Sequence, residues 1–133
     1  MSSIFTKIIN GEIPGRFVYE DEQVVAFLDI NPLTDGHTLV VPRKEVDKWT
    51  DLPAEEWAHL TAVAQKIGQA QKEVFGAPRA GLVIAGFDVP HTHIHVFPAS
   101  GMGDFNFLNA GKDGRNEAER LDNVQEKLRS ALQ

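Results

Sequence analysis

Apolar residues recur along this chain in patterns that predict its elements. Ile4, Phe5, Ile8 and Ile9 sit at helical spacing and stop at Asn10-Gly11, a turn signal, so a short N-terminal helix or turn is expected. Phe17–Glu20 and Val24–Leu28 are β-prone runs separated by Asp21-Glu22-Gln23, which predicts a hairpin. Asp29-Ile30-Asn31-Pro32 leads into a loop closed by Asp35-Gly36, and residues 37–41 read as a strand stopped by Pro42. Pro53 fits the first turn of a helix. Trp57, Leu60, Val63, Ala64, Ile67, Ala70 and Val74 then follow at spacings of three and four, predicting a long amphipathic helix over 54–75 that Gly76 ends. Residues 81–86 and 91–97 read as the last two strands, and loop chemistry fills 99–114. Ala118, Leu121, Val124, Leu128 and Leu132 mark a C-terminal amphipathic helix. Strands grouped around one central helix, mostly through short connections, predict an α+β fold with a largely antiparallel sheet.

Composition narrows the function. The 133 residues show no repeat, low-complexity tract or linker, so a single domain over 1–133 is expected. A net charge of −6 disfavours a nucleic-acid polymer as partner but leaves room for a small phosphate ligand held by local donors. The absence of cysteine removes disulfides, thiolate zinc sites and cysteine nucleophiles together. No apolar run reaches membrane-spanning length, and the N-terminus lacks a signal-peptide stretch, so no membrane partner and a cytoplasmic location are expected.

The chemistry concentrates in the histidines. His91, His93 and His95 occupy alternate positions, which on a strand would turn all three imidazoles to one face. Two chemistries could use such a row. In metal binding, three histidines spaced roughly 6.6 Å apart along a straight strand converge poorly on one ion. In phosphoryl chemistry, a neutral imidazole attacks phosphorus while a neighbour stabilises the phosphate oxygens and one group protonates the leaving group.

His91-Thr92-His93-Ile94-His95-Val96-Phe97 resembles the signature of the histidine-triad (HIT) family. The segments 3–14, 27–32 and 36–42 resemble that family's opening segment, nucleotide-site strand and following strand. The resemblance implies a HIT-like fold with its core over 3–98 and a C-terminal loop and helix over 99–133. It implies a nucleotide hydrolase or nucleotidyl transferase, with His93 as nucleophile, His95 contacting the phosphate, His91 supporting the hydrogen bonding and His37 close to the triad. Asp29 would hold the ribose hydroxyls. Ile4, Phe5, Ile8, Phe27, Leu28, Ile30 and Leu39 would line the base cleft. The substrate would be a purine nucleoside monophosphate derivative: a phosphoramidate, a dinucleoside polyphosphate or a nucleotidyl conjugate. No metal or cofactor is implied, and a homodimer is. Two departures stand out. Many family members carry Gly-Gln-x-Val-x-His or Gly-x-Ser-x-x-His before the triad, with an Asn further upstream; here Phe87 stands at the Gln position. The tail is longer than in the Hint branch and carries Phe105 and Phe107 as packing residues or cleft borders. The altered segment leaves open a nucleotide- or partner-binding protein with little turnover, and a metal-dependent hydrolase is a further alternative.

Overall fold

A computed structural model describes residues 2–133. Five strands form one sheet: β1 (Phe17–Glu20), β2 (Val24–Leu28), β3 (Thr38–Pro42), β4 (Arg79–Val83) and β5 (Ile94–Ala99). Their order is β1-β2-β3-β5-β4, and every neighbouring pair is antiparallel. Three helices accompany the sheet: α1 (Ile4–Ile9), α2 (Ala54–Phe75) and α3 (Ala118–Leu132).

The period-two geometry of strands divides the core. Val24, Ala26, Leu28, Val40, Ile94 and Val96 pack with Leu60, Ile67, Val124 and Leu128 of α2 and α3 on one face. Val25, Phe27, Leu39 and Val41 face the other way, against Phe5 and Ile8 of α1. Both faces are covered, which explains why β2, β3 and β5 are buried throughout and read as apolar runs rather than clean alternations.

The α1 face carries a cross-strand row. Phe17 pairs with Phe27, Phe27 with Leu39, and Leu39 with His95. One sheet face therefore runs from aromatic side chains to a histidine. α1 is held over it by Ser3, whose hydroxyl caps the helix by accepting from Thr6 N–H. α2 ends at Gly76 in the left-handed region, as its sequence anticipates.

Three strand boundaries differ from expectation. The strand expected at 91–97 begins only at Ile94, the one at 81–86 is Arg79–Val83, and the one at 37–41 is Thr38–Pro42. Thr92 N–H bonds to the Val46 carbonyl instead of a neighbouring strand, which keeps His91 and His93 off the sheet. The β3–β5 pairing accordingly stops at Val40 and Ile94.

Candidate active site

A cavity of about 620 Å³ opens between α1 and the sheet. Ile4, Phe5 and Ile8 line it from the helix; Phe27, Leu28 and Leu39 line it from the strands; Asp29 and Ile30 stand where β2 ends. His93 and His95 close one end. Every residue expected around a base and ribose is on this wall. His37 and His91 do not line it; each is buried behind one of the other two histidines. Only His95 lies on a strand, so the three imidazoles of the triad do not repeat along one pleated face. Loop hydrogen bonds set their arrangement instead.

Those bonds assign every tautomer. Leu33 N–H donates to His37 Nδ1 at 2.9 Å, so the proton of His37 is on Nε2. That N–H donates to His95 Nδ1, also at 2.9 Å, which leaves His95 with its proton on Nε2, a donor toward the cavity. His91 Nε2–H donates to the Pro42 carbonyl at 2.7 Å, and His91 Nδ1 accepts from the Ser3 hydroxyl at 2.7 Å. His93 Nδ1–H donates to the His91 carbonyl at 2.7 Å. The lone pair of His93 is therefore on Nε2. This atom is buried and has no hydrogen-bond partner among the described residues. Phe5 packs edge-on against the His93 ring at 4.8 Å between centroids and helps fix its plane.

Burial keeps the supporting imidazoles neutral. Desolvation, reinforced by His95, pushes His37 down to about 3, and desolvation, reinforced by His93, pushes His95 down to about 4. Desolvation also lowers His91. His95 can therefore stabilise a phosphate at neutral pH as an N–H donor rather than as a cation. Burial raises Asp29, against the lowering effect of the Asn31 N–H bond.

Asp29, His37 and His95 each bring a potential ligand atom within 4.8 Å of the others. The tautomers oppose metal binding there. His37 Nδ1 accepts from Leu33, so Nε2 carries the proton and offers no lone pair. A metal-bound histidine normally donates its second ring N–H, the reverse of what is seen.

Several site residues were not anticipated from the sequence. Asp88 lines the cavity with Oδ1 3.5 Å from His93 Nε2. It occupies the Ser position of the Gly-x-Ser-x-x-His pattern, a signal the sequence did contain. Arg16 and Asp122, joined at 2.8 Å between Nε and Oδ1, border the cavity too. Ser3 reaches His91 from α1. Phe107 lies edge-on to His95 at 5.2 Å, while Phe105 packs on Phe97 at 4.9 Å, so one tail aromatic adjoins the histidines and the other packs on the sheet. Phe87 is 99% exposed and supplies no clamp.

The HIT domain family model matches residues 10–102. The chain is 44% identical to an uncharacterised HIT-like protein of Methanocaldococcus jannaschii, over 71% of this chain and 77% of that one. It is 36% identical to a bifunctional bis(5'-adenosyl)-triphosphatase/adenylylsulfatase of Arabidopsis thaliana, over 80% of this chain and 62% of that one. Among solved structures, a zinc-bound histidine triad family protein from Mycobacterium smegmatis superposes with a TM-score of 0.83 at 34% identity, covering 99% of this chain and 94% of that chain.

Proposed function

Because the chain belongs to the histidine-triad family, we propose that it is a nucleotide hydrolase or nucleotidyl transferase acting at the α-phosphate, with His93 as nucleophile. The bare, buried Nε2 of His93 at the end of the cavity carries this reading. An unpaired buried acceptor costs roughly 1–3 kcal/mol, and a reacting phosphorus gives that lone pair a use.

In the proposed reaction the base enters between α1 and the sheet, and Asp29 accepts from the ribose hydroxyls. His95 Nε2–H donates to a phosphate oxygen, an orientation that His37 and Leu33 impose. His93 Nε2 forms a bond to phosphorus as the leaving group departs, giving a nucleotidyl-histidine. His91, through its carbonyl, holds the His93 Nδ1–H and so keeps the lone pair on Nε2. Water or another acceptor then attacks phosphorus and releases His93. The Arabidopsis relative's two named activities both act on nucleotide anhydrides, which supports this reaction class. No helix among the described residues is long and apolar enough to cross a membrane; a homodimer in the cytoplasm is the proposed form. β4, an edge strand with Leu82 exposed, is available to such an assembly.

A hydrolysis screen with AMP phosphoramidates, adenylylsulfate and diadenosine polyphosphates tests the reading. Wild type should release AMP from at least one class, and His93→Ala should not. AMP binding without turnover of any class would identify a nucleotide-binding protein instead.

A further inference from the structure

The reacting end of the cavity is short of positive charge. His37, His91 and His95 are held neutral by burial. Among the described residues that line the cavity, Arg16 is the one Lys or Arg, and its Nε already donates to Asp122. Against it stand three carboxylates: Asp29, Asp88 and Asp122. Asp29 turns Oδ1 to the Asn31 N–H, and Asp122 holds Arg16. Asp88 is the carboxylate beside the reacting atom. Its Oδ1 accepts from Val89 N–H at 2.9 Å, which orients it, and lies 3.5 Å from His93 Nε2.

We propose that Asp88 is a specificity-determining residue, selecting nucleotides whose α-phosphate carries an amine leaving group and disfavouring those whose leaving group is an anion such as sulfate or a phosphate chain. This deepens the reading of the site given above and rests on it. The charge balance of the reaction gives the reason. A phosphorus–nitrogen bond breaks readily only after its nitrogen gains a proton, here from solvent at the open mouth. The His93 Nε2–phosphorus bond forms, the phosphorus–nitrogen bond breaks, and its electron pair stays with the departing amine, which keeps the added proton. The bridging nitrogen is positive at that stage, and the carboxylate held 3.5 Å from the attacking His93 Nε2 attracts that charge through space. With sulfate or a phosphate chain, the departing oxygen gathers negative charge. The same carboxylate then opposes departure, and no unpaired Lys or Arg among the described cavity residues offsets it. A hydroxyl at this position would make neither distinction. The selection points away from the substrates named for the Arabidopsis relative, both of which expel anions.

The Asp88 side chain is 71% exposed, so solvent and salt screen its influence. The expected discrimination is therefore about tenfold rather than absolute. The experiment compares kcat/KM for an AMP N-alkyl phosphoramidate with that for adenylylsulfate, in wild type, Asp88→Asn and Asp88→Ser. Wild type should favour the phosphoramidate. Both variants should lower the ratio about tenfold, chiefly by gaining rate on adenylylsulfate. Added salt should lower the ratio in wild type and leave it unchanged in the variants. A ratio that does not respond to either substitution, or a wild type that prefers adenylylsulfate, overturns the proposal. Turnover of a diadenosine polyphosphate with neither compound accepted also overturns the proposal, whereas if wild type turns over none of the three classes the hydrolase reading fails, and Asp88 is judged by binding alone. Titration with the phosphoramidate and with ADP should then give an affinity ratio that falls in Asp88→Asn, and an unchanged ratio overturns the selection.

Discussion

His37 and His95 share one ordered proton: His37 Nε2–H donates to His95 Nδ1 across 2.9 Å, and Leu33 N–H, on the far side of His37, fixes the direction of that bond. A backbone amide thereby determines which nitrogen of His95 presents a donor to the cavity. If His37 is replaced by Phe, ring volume is kept but the order is lost. His95 is then free to take either tautomer, and kcat should fall by roughly ten- to a hundredfold, on the scale of a misplaced acid–base group. KM for the nucleotide should change little, because His37 does not line the cavity. Steady-state kinetics check both. An unchanged kcat would remove His37 from the relay.

The same pair makes stability depend on pH. His37 and His95 have pKa values depressed from 6.5 to about 3 and about 4. The unfolded chain therefore binds protons that the folded chain refuses as pH falls from about 6.5 to about 4 for His95 and to about 3 for His37. Stability is fully present above 6.5 and is lost through that window. Asp29, raised above 3.8, has the opposite sign but acts only at the acidic end. Between pH 7 and pH 5.5 the two histidines should together remove about 2–3 kcal/mol. Urea midpoints at the two values measure this, and His37→Phe should flatten the dependence.

Much of the fold is written in the sequence because periodicity is a local property. The apolar spacing of α2 and α3 and the run of β2 locate those elements closely, and of the two readings open for the tail aromatics, packing on the sheet describes Phe105. Strand positions of His91 and His93 were not legible. The Thr92 N–H between them bonds to Val46 and the His91 ring bonds to Pro42, partners some fifty residues away that no local period records. Asp88, Arg16 and Asp122 escaped for a related reason. Their place at the cavity follows from which elements the fold brings together, and only Asp88 had a signal, its position within a motif.

Ser3 serves both α1 and the site. Its hydroxyl accepts from Thr6 N–H at 3.1 Å and donates to His91 Nδ1 at 2.7 Å. Ser3→Ala removes a helix cap and leaves a buried imidazole acceptor without its donor. A loss of roughly 1–2 kcal/mol is expected in denaturant unfolding, with turnover reduced as well. Stability equal to wild type would mean that another group replaces the hydroxyl.

The sugar is tested by the ligand rather than by mutation, since Asp29 also fixes its own turn through Asn31. If both ribose hydroxyls donate to this carboxylate, AMP should bind more tightly than its 2',3'-dideoxy analogue by roughly 1.5–3 kcal/mol, the scale of a charged hydrogen bond. Calorimetric titration of both ligands measures the difference. Equal affinities would remove Asp29 from ribose recognition.

Gly36, which precedes His37, has φ +99°, and a Cβ there would meet the Phe75 ring at 2.5 Å. Gly36→Ala is therefore strained in backbone and in packing. It should destabilise the protein by more than about 1 kcal/mol and loosen the His37–His95 pair, which thermal unfolding and kcat read together.

The bare Nε2 of His93 is the centre of the proposed mechanism, and trapping of the covalent species tests it most directly. Enzyme mixed with a substrate labelled at the α-phosphate should be quenched within a turnover by a denaturant at alkaline pH, where a phosphorus–nitrogen bond to histidine survives. The mechanism predicts label on wild-type protein, released by mild acid, and none on His93→Ala, which should keep its fold and some nucleotide affinity. Turnover without labelled protein, or full activity in His93→Ala, would mean that water attacks the phosphate directly and would contradict the nucleotidyl-histidine.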